Sequence, residues 1–421
     1  MIGRITGTGP LIDGQYRPGL PQASVPKPAA PSGGAFNGTA DRLEREHKAA
    51  SGFKYDSRDD ALEALGQDQR DKLKSVERYL RDLAATGRPE AIKQAQNMQA
   101  MLDKLLMQGK LEDRSAEGTT VLDELKKTLA GSTRTLQGNI GDWRTLRDET
   151  GMTPKAFVLQ AVLEHLTDPR SIYQGDRTST CGATTVQSML AEAKPAEYAR
   201  LVCQLLDEGS VVTAAGDLMS ADVGGLGDSS DGRSHVEDLL QESFMSLARN
   251  LPELRMTGDV DLAQFGNGRL GWTSRGRFGA VEGATVEEGL TAAQMIGLSN
   301  SVMHGSSEAV FFEGMDPKKA LDILQTALKA GPVPIGVKGD EIGHAVLLES
   351  IRGTEAYLRD PADPDGKPLV VPAAELMKEI LFASVPAGAN PRLGSGQAEL
   401  GWVGGGGFGV NRGGPSAKRS G

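Results

Sequence analysis

Cysteine is scarce in this chain: 421 residues contain two, Cys181 and Cys203. Two are too few for the disulfide framework of a small secreted domain, and both are read as reduced. The five histidines are scattered, and no CxxC or HExxH motif occurs, so the common zinc signatures are excluded and no metal or cofactor is implied. Positive charge is the minority sign. Forty-six Lys and Arg face 56 Asp and Glu, for a net charge of -10. That balance argues against nucleic acid as a partner, which calls for a basic footprint, and against charge-driven adsorption to anionic membranes. No apolar run approaches the ~20 residues needed to span a bilayer. The opening stretch, MIGRITGTGPLIDGQYRPG, lacks the apolar core of a secretory signal peptide. The expected location is the bacterial cytoplasm before export, by a route that uses no such peptide, with a host or target cell as destination.

What is present divides the chain into four. Residues 1–57 are rich in Pro, Gly, Ser and Ala without a period of 2 or 3.6, and are expected to be disordered. Arg4, Arg17 and Lys27 outweigh Asp13 there. A leaderless secretion signal and an ordinary loose terminus both fit. Residues 58–150 read as a helical bundle or hairpin that stands apart from the active site. Leu73, Val76, Leu80 and Leu83 form one apolar stripe, and Gly87-Arg88-Pro89 breaks it. Ile92, Ala95, Met98, Leu102 and Leu105 form a second. Thr120 and Asp123 have capping-box spacing ahead of Leu122, Leu125 and Leu129. Residues 151–392 form the expected catalytic domain, opening with a helix capped by Thr153 with Pro154 at its first position. Later, HVEDLLQESFMSLARN reads as a helix, and Val333–Val337, HAVLLESI and AYLRD read as strands. Residues 393–421 read as a Gly-rich flexible tail.

Three residues carry a chemical pattern. A thiolate, not a thiol, is the cysteine nucleophile, and a helix N-terminus lowers its pKa. Cys181 opens CGATTVQSMLAEA, which reads as a helix with Val186, Met189 and Leu190 inward. The alternative is a buried structural cysteine. Gly182 beside it leaves room for a substrate backbone to approach. His344 begins one strand and Asp360 ends the next. Two antiparallel strands joined by a turn near Arg352-Gly353-Thr354 make the pair cross-strand neighbours, an arrangement in which a carboxylate fixes an imidazole tautomer.

The order Cys, His, Asp resembles papain-like cysteine peptidases. The segment GPVPIGVKGDEIGHAVLLESIRGTEAYLRDPADPDG is similar to the second half of the bacteriocin-processing, double-glycine-leader peptidases, and QGDRTSTCGATTVQ to their Gln-loop-Cys-Gly motif. The resemblance implies an α+β, papain-like fold, with a helical lobe carrying the cysteine and an antiparallel sheet carrying His and Asp. It implies a triad of Cys181, His344 and Asp360. It also implies an oxyanion hole made by the Gln174 side chain and the Cys181 N–H. Gln174 precedes Cys181 by seven positions, where the family has five or six. The 163 positions from Cys181 to His344 imply a large helical insertion or a distinct branch. A protein or peptide is the expected substrate, a secretion chaperone is a candidate partner, and effector or toxin is the expected role. Transglutaminases, glutamine deamidases and some acyltransferases share the Cys-His-Asp order. A non-catalytic binding module is the third class.

The other candidates read as structural. Cys203 lies at helical spacing with Ala199 and Leu206. His165 sits on an apolar helix face and His47 is solvated. His235 and His304 have no assigned role. GGGGFG near the end neither follows a strand nor leads into a helix, which excludes a dinucleotide loop.

Overall fold

A computed structural model describes residues 52–131, 152–175, 178–221, 231–251, 289–305, 307–338 and 343–386. His47, most of residues 1–57 and all of 393–421 lie outside the described residues. Residues 52–57 are anchored: the Lys54 and Tyr55 N–H groups donate to Met107 O at 2.9 and 3.1 Å, and Tyr55 Oη donates to Glu112 at 3.0 Å.

The first four helices are α1 (Arg58–Ala64), α2 (Gln67–Ala84), α3 (Pro89–Met107) and α4 (Val121–Ala130). The stripe expected in α2 is the buried one. In α3 the inward face is turned by one position: Ala91 is buried and Ile92 only half-buried, ahead of Ala95, Met98, Leu102 and Leu105. The box at Thr120 and Asp123 closes reciprocally, with N–H to side-chain bonds of 3.2 and 2.9 Å. A cap of this kind contributes about 1 kcal/mol. Next come α5 (Pro154–Thr167), capped by Thr153, α6 (Cys181–Ala193) and α7 (Pro195–Glu208), which stops at the left-handed Gly209. A short hairpin of β1 (Ser210–Val212) and β2 (Leu218–Ser220) precedes α8 (His235–Asn250) and α9 (Ala292–Met303), each opened by a capping box.

The boundary expected near residue 150 falls in 132–151, outside the described residues. Helices on both sides of it bury their apolar faces in one core, from Leu73, Met98 and Leu125 to Leu159, Leu190 and Phe244. Polar ties run between the same helices: Tyr79 Oη meets Thr153 Oγ1 at 2.8 Å, and the buried Arg200 donates to Glu117 at 2.7 Å. The first helices are thus built onto the body that carries Cys181.

The remaining elements are β3 (Ser307–Phe311), α10 (Pro317–Ala327), β4 (Val333–Val337), β5 (His344–Arg352), β6 (Glu355–Arg359), β7 (Pro368–Pro372), α11 (Ala373–Glu379) and β8 (Ile380–Pro386). The strands make one antiparallel sheet in the order β3-β8-β4-β5-β6-β7. One face carries Ala345 and Phe382 into the helical core. The other carries Val346, Leu348 and Leu358 into a second core with Ile323 and Leu324 of α10 and Leu376 of α11. The molecule is α+β, with helices on both faces of the sheet. Among the described residues no helix is long and apolar enough to cross a membrane.

Candidate active site

Helix α6 places Cys181 at its first position and rests on β5, where Thr185 Oγ1 donates to Ala345 O at 3.3 Å. Its N-cap residue, Thr180, does not cap it. The hydroxyl turns away to Gln174 O and to Gln241 Oε1, each at 3.0 Å. The first turn of a helix has N–H groups without intrahelical partners, so this end keeps donors for a nearby anion. Gly182 is buried against Leu290, from which a Cβ added there would stand 3.3 Å.

Strand β5 supplies the base. His344 Nε2 lies 2.7 Å from Asp360 Oδ1, and Asp360 Oδ1 also accepts from the Ala362 N–H at 2.9 Å. The hairpin expected from the sequence is present, but the two residues are not directly opposite. The ladder pairs Ser350 with Tyr357 next to the turn and Leu347 with Arg359 further on, with a β-bulge between Leu348 and Ser350. Carried one step past Arg359, the second register sets Asp360 near Val346, two positions from His344. The unbulged register would set Asp360 across from Leu347, on the opposite face, because side chains alternate along a strand.

With Nε2 engaged by Asp360, Nδ1 is the ring nitrogen left to serve Cys181, whose ionisation is coupled to that of His344. Burial alone would raise the pKa of the Cys181 thiol. The His344 hydrogen bond and charge, with the Ala345 and Gly182 N–H groups, outweigh it and bring the thiol below its ordinary range. Burial alone would lower the His344 pKa, yet bonds to Asp360 and Cys181 hold it up at about 10. Asp360, against the cost of burial, is held below the usual carboxylate range by the same imidazole. All three shifts favour a thiolate, an imidazolium and a carboxylate in contact.

No protein-family model, curated protein or solved structure matches this chain.

Gln174 stands in the loop that leads to Cys181. Its N–H donates to Pro361 O at 2.9 Å, and its carbonyl accepts from Thr180. Its backbone therefore touches the neighbours of both Asp360 and Cys181. Gln174 Oε1 is buried and lacks a hydrogen-bond partner among the described residues. Buried amide groups are nearly always paired, so an unpaired one in the loop leading to Cys181 stands out.

Sequence reading missed an ion cluster beside the site. Glu349, the residue inside the bulge, accepts from Arg359 at 2.6 and 2.8 Å and from Arg170 at 2.8 and 3.1 Å. Arg359 also donates to Glu192 of α6 at 2.7 Å. The burial of Glu349 works against its charge, but the two guanidiniums hold its carboxyl below the usual range. The cluster ties the Cys181 helix, the His344 strand and the residue before Asp360 together. Its members are 167 and 179 positions apart along the chain, so no local motif announces them.

The remaining candidates stand elsewhere. Cys203 is buried against Thr128, and burial pushes its thiol up to about 12. His165 is buried with Nδ1 2.6 Å from Tyr198 Oη and Nε2 3.4 Å from Glu237. His235 begins α8, where burial lowers its pKa, and His304 ends α9 in a left-handed conformation. Among the described residues no group of three or more His, Cys, Asp or Glu could hold a metal ion.

Proposed function

We propose that the chain is a cysteine peptidase of papain-like α+β fold, acting on proteins or peptides through Cys181, His344 and Asp360. The observation that carries the reading is one chain of contacts, from a thiol at an uncapped helix start, through an imidazole, to a carboxylate at 2.7 Å. Asp360 fixes the ring with Nε2 toward itself, so Nδ1 receives the Cys181 proton. The thiolate attacks a peptide carbonyl carbon. The oxyanion rests on the Cys181 N–H and on Gln174 Nε2, which a half-turn of the carboxamide brings to the buried unpaired position. The imidazolium gives its proton to the leaving amine, and a thioester remains. Water, deprotonated by His344, then releases the acid and restores the thiol.

Transglutaminases and deamidases use the same thioester and differ in what attacks it. The test is mass spectrometry of a casein digest prepared with the purified protein or with Cys181→Ala. New peptide termini that depend on Cys181 are expected. A gain of 1 Da on glutamine, or a cross-link, would move the assignment to deamidation or acyl transfer. Failure of an iodoacetamide probe to label Cys181 would make the site a binding surface.

A further inference from the structure

We infer that Glu237 and Gln241, one turn apart on α8, are positioning residues that hold the Gln174 loop in its reactive shape. The inference rests on the peptidase reading above. Helix α8 contributes nothing to the triad, yet it grips both ends of the segment from Tyr173 to Thr180. Glu237 Oε1 accepts the Tyr173 N–H at 2.8 Å, and Gln241 Nε2 donates to the Tyr173 carbonyl at 2.9 Å. Both backbone groups of the residue before Gln174 are thus held by one helix face. Gln241 Oε1 lies 3.0 Å from the Thr180 hydroxyl, directly before Cys181, and shares that hydroxyl's one proton with the Gln174 carbonyl.

The orientation of Gln241 is forced by its neighbours. The Tyr173 carbonyl can only accept, so the NH2 must face it. Arg233, which reaches the other end at 3.3 Å, can only donate, so that end must be oxygen. The second N–H of Gln241 reaches Gln187 Oε1 at 3.2 Å. Gln187 Nε2 therefore donates to Tyr198 Oη at 3.2 Å, and the Tyr198 hydroxyl donates onward to His165 Nδ1. His165 Nε2 then carries the proton and faces Glu237. The polar chain closes on itself through α8. Gln187 and Gln241 are fully buried, and Thr180, His165 and Glu237 nearly so. A buried carboxamide using both N–H donors and its oxygen has one orientation open to it, and that holds Tyr173 and Thr180 at fixed places.

The experiment compares two reactions of Cys181. Alkylation by iodoacetamide needs the thiolate and no oxyanion hole. Burst acylation by p-nitrophenyl acetate passes through an oxyanion. Gln241→Ala is expected to slow the burst about 10- to 100-fold, with the alkylation rate and its pH profile unchanged. Gln174→Ala should do the same, and the double variant should be no slower than the worse single one, since both remove one function. Thr180→Val keeps the shape and loses the hydroxyl, so it tests the loop even if Gln241→Ala does not fold. It should show the same split, and Thr180→Ser should restore the burst. Multiplying effects in the double variant, equal losses in both reactions, or an unchanged burst in Thr180→Val would each overturn the inference. A wild-type protein without selective Cys181 alkylation fails at the triad itself. A wild-type burst that Gln174→Ala leaves intact removes the oxyanion role for the loop and the inference with it.

Discussion

At the scale of single residues, the two cysteines are the same side chain in two environments, and their chemistry should separate with pH. Cys203 is buried with its thiol pushed up to about 12, whereas Cys181 is drawn below its ordinary range by His344. A lowered thiol pKa moves the rise in thiolate to lower pH, so alkylation of Cys181 should rise at lower pH than that of an ordinary thiol. Cys203 should stay unreactive until strongly alkaline pH. His344→Ala removes the leading stabiliser of the thiolate and should shift the Cys181 rise upward, to the ordinary thiol range or above it, since burial remains. Rates followed by mass spectrometry from pH 4 to 10 read this directly, and faster labelling of Cys203 would sink the triad. The three candidate residues were legible because each lies at the end of an element whose pattern is local. Cys181 heads a helix, His344 heads a strand and Asp360 follows one. Gln241 and Glu237 were not legible. They lie on an ordinary amphipathic helix, and nothing in HVEDLLQESFMSLARN says which loop those side chains reach.

At the scale of elements, the helices were read well where caps and breakers punctuate the chain. Thr120, Thr153 and Pro154 stand where their chemistry puts them. The strands were read in part. β4, β5 and β6 carry dense β-branched or apolar runs. Strands β3, β7 and β8 are defined by their sheet partners, which a linear pattern does not show. The bulge in β5 is invisible for the same reason, because it is a mismatch between two strands. One packing contact inside the sheet is equally silent in sequence. Gly336 in β4 lies under the Phe382 ring, where a Cβ would stand 2.1 Å from a ring carbon. Gly336→Ala should therefore push β8 away and cost about 1–3 kcal/mol, the usual range for overpacking. Because Gly336 pairs with Ala345, the residue after His344, Cys181 alkylation should slow as well. Denaturation midpoints and alkylation rates on one preparation check both. An unchanged midpoint would mean that the ring has room to move.

At the scale of the whole molecule, the helices before residue 131 are part of the body that carries Cys181, not an appendage to it. Removing residues 1–151 would uncover the faces of α5 and α7 that Leu73, Met98 and Leu125 now help cover, and would strand Arg200 without Glu117. A chain starting at Met152 is expected to lose its near-ultraviolet circular dichroism and the selective reactivity of Cys181. A folded, reactive product would show that the half carrying Cys181 is self-sufficient. The bulge in β5 also bears on how such a chain can change its length. Between Cys181 and His344 the 163 positions include the folded elements from α7 to β4, which pack into both cores. Between His344 and Asp360 the count is not free but a matter of odd and even. One surplus residue in β5 shifts the position that the carboxylate faces by one. The pairing of His344 with Asp360 is therefore set within a nine-residue strand.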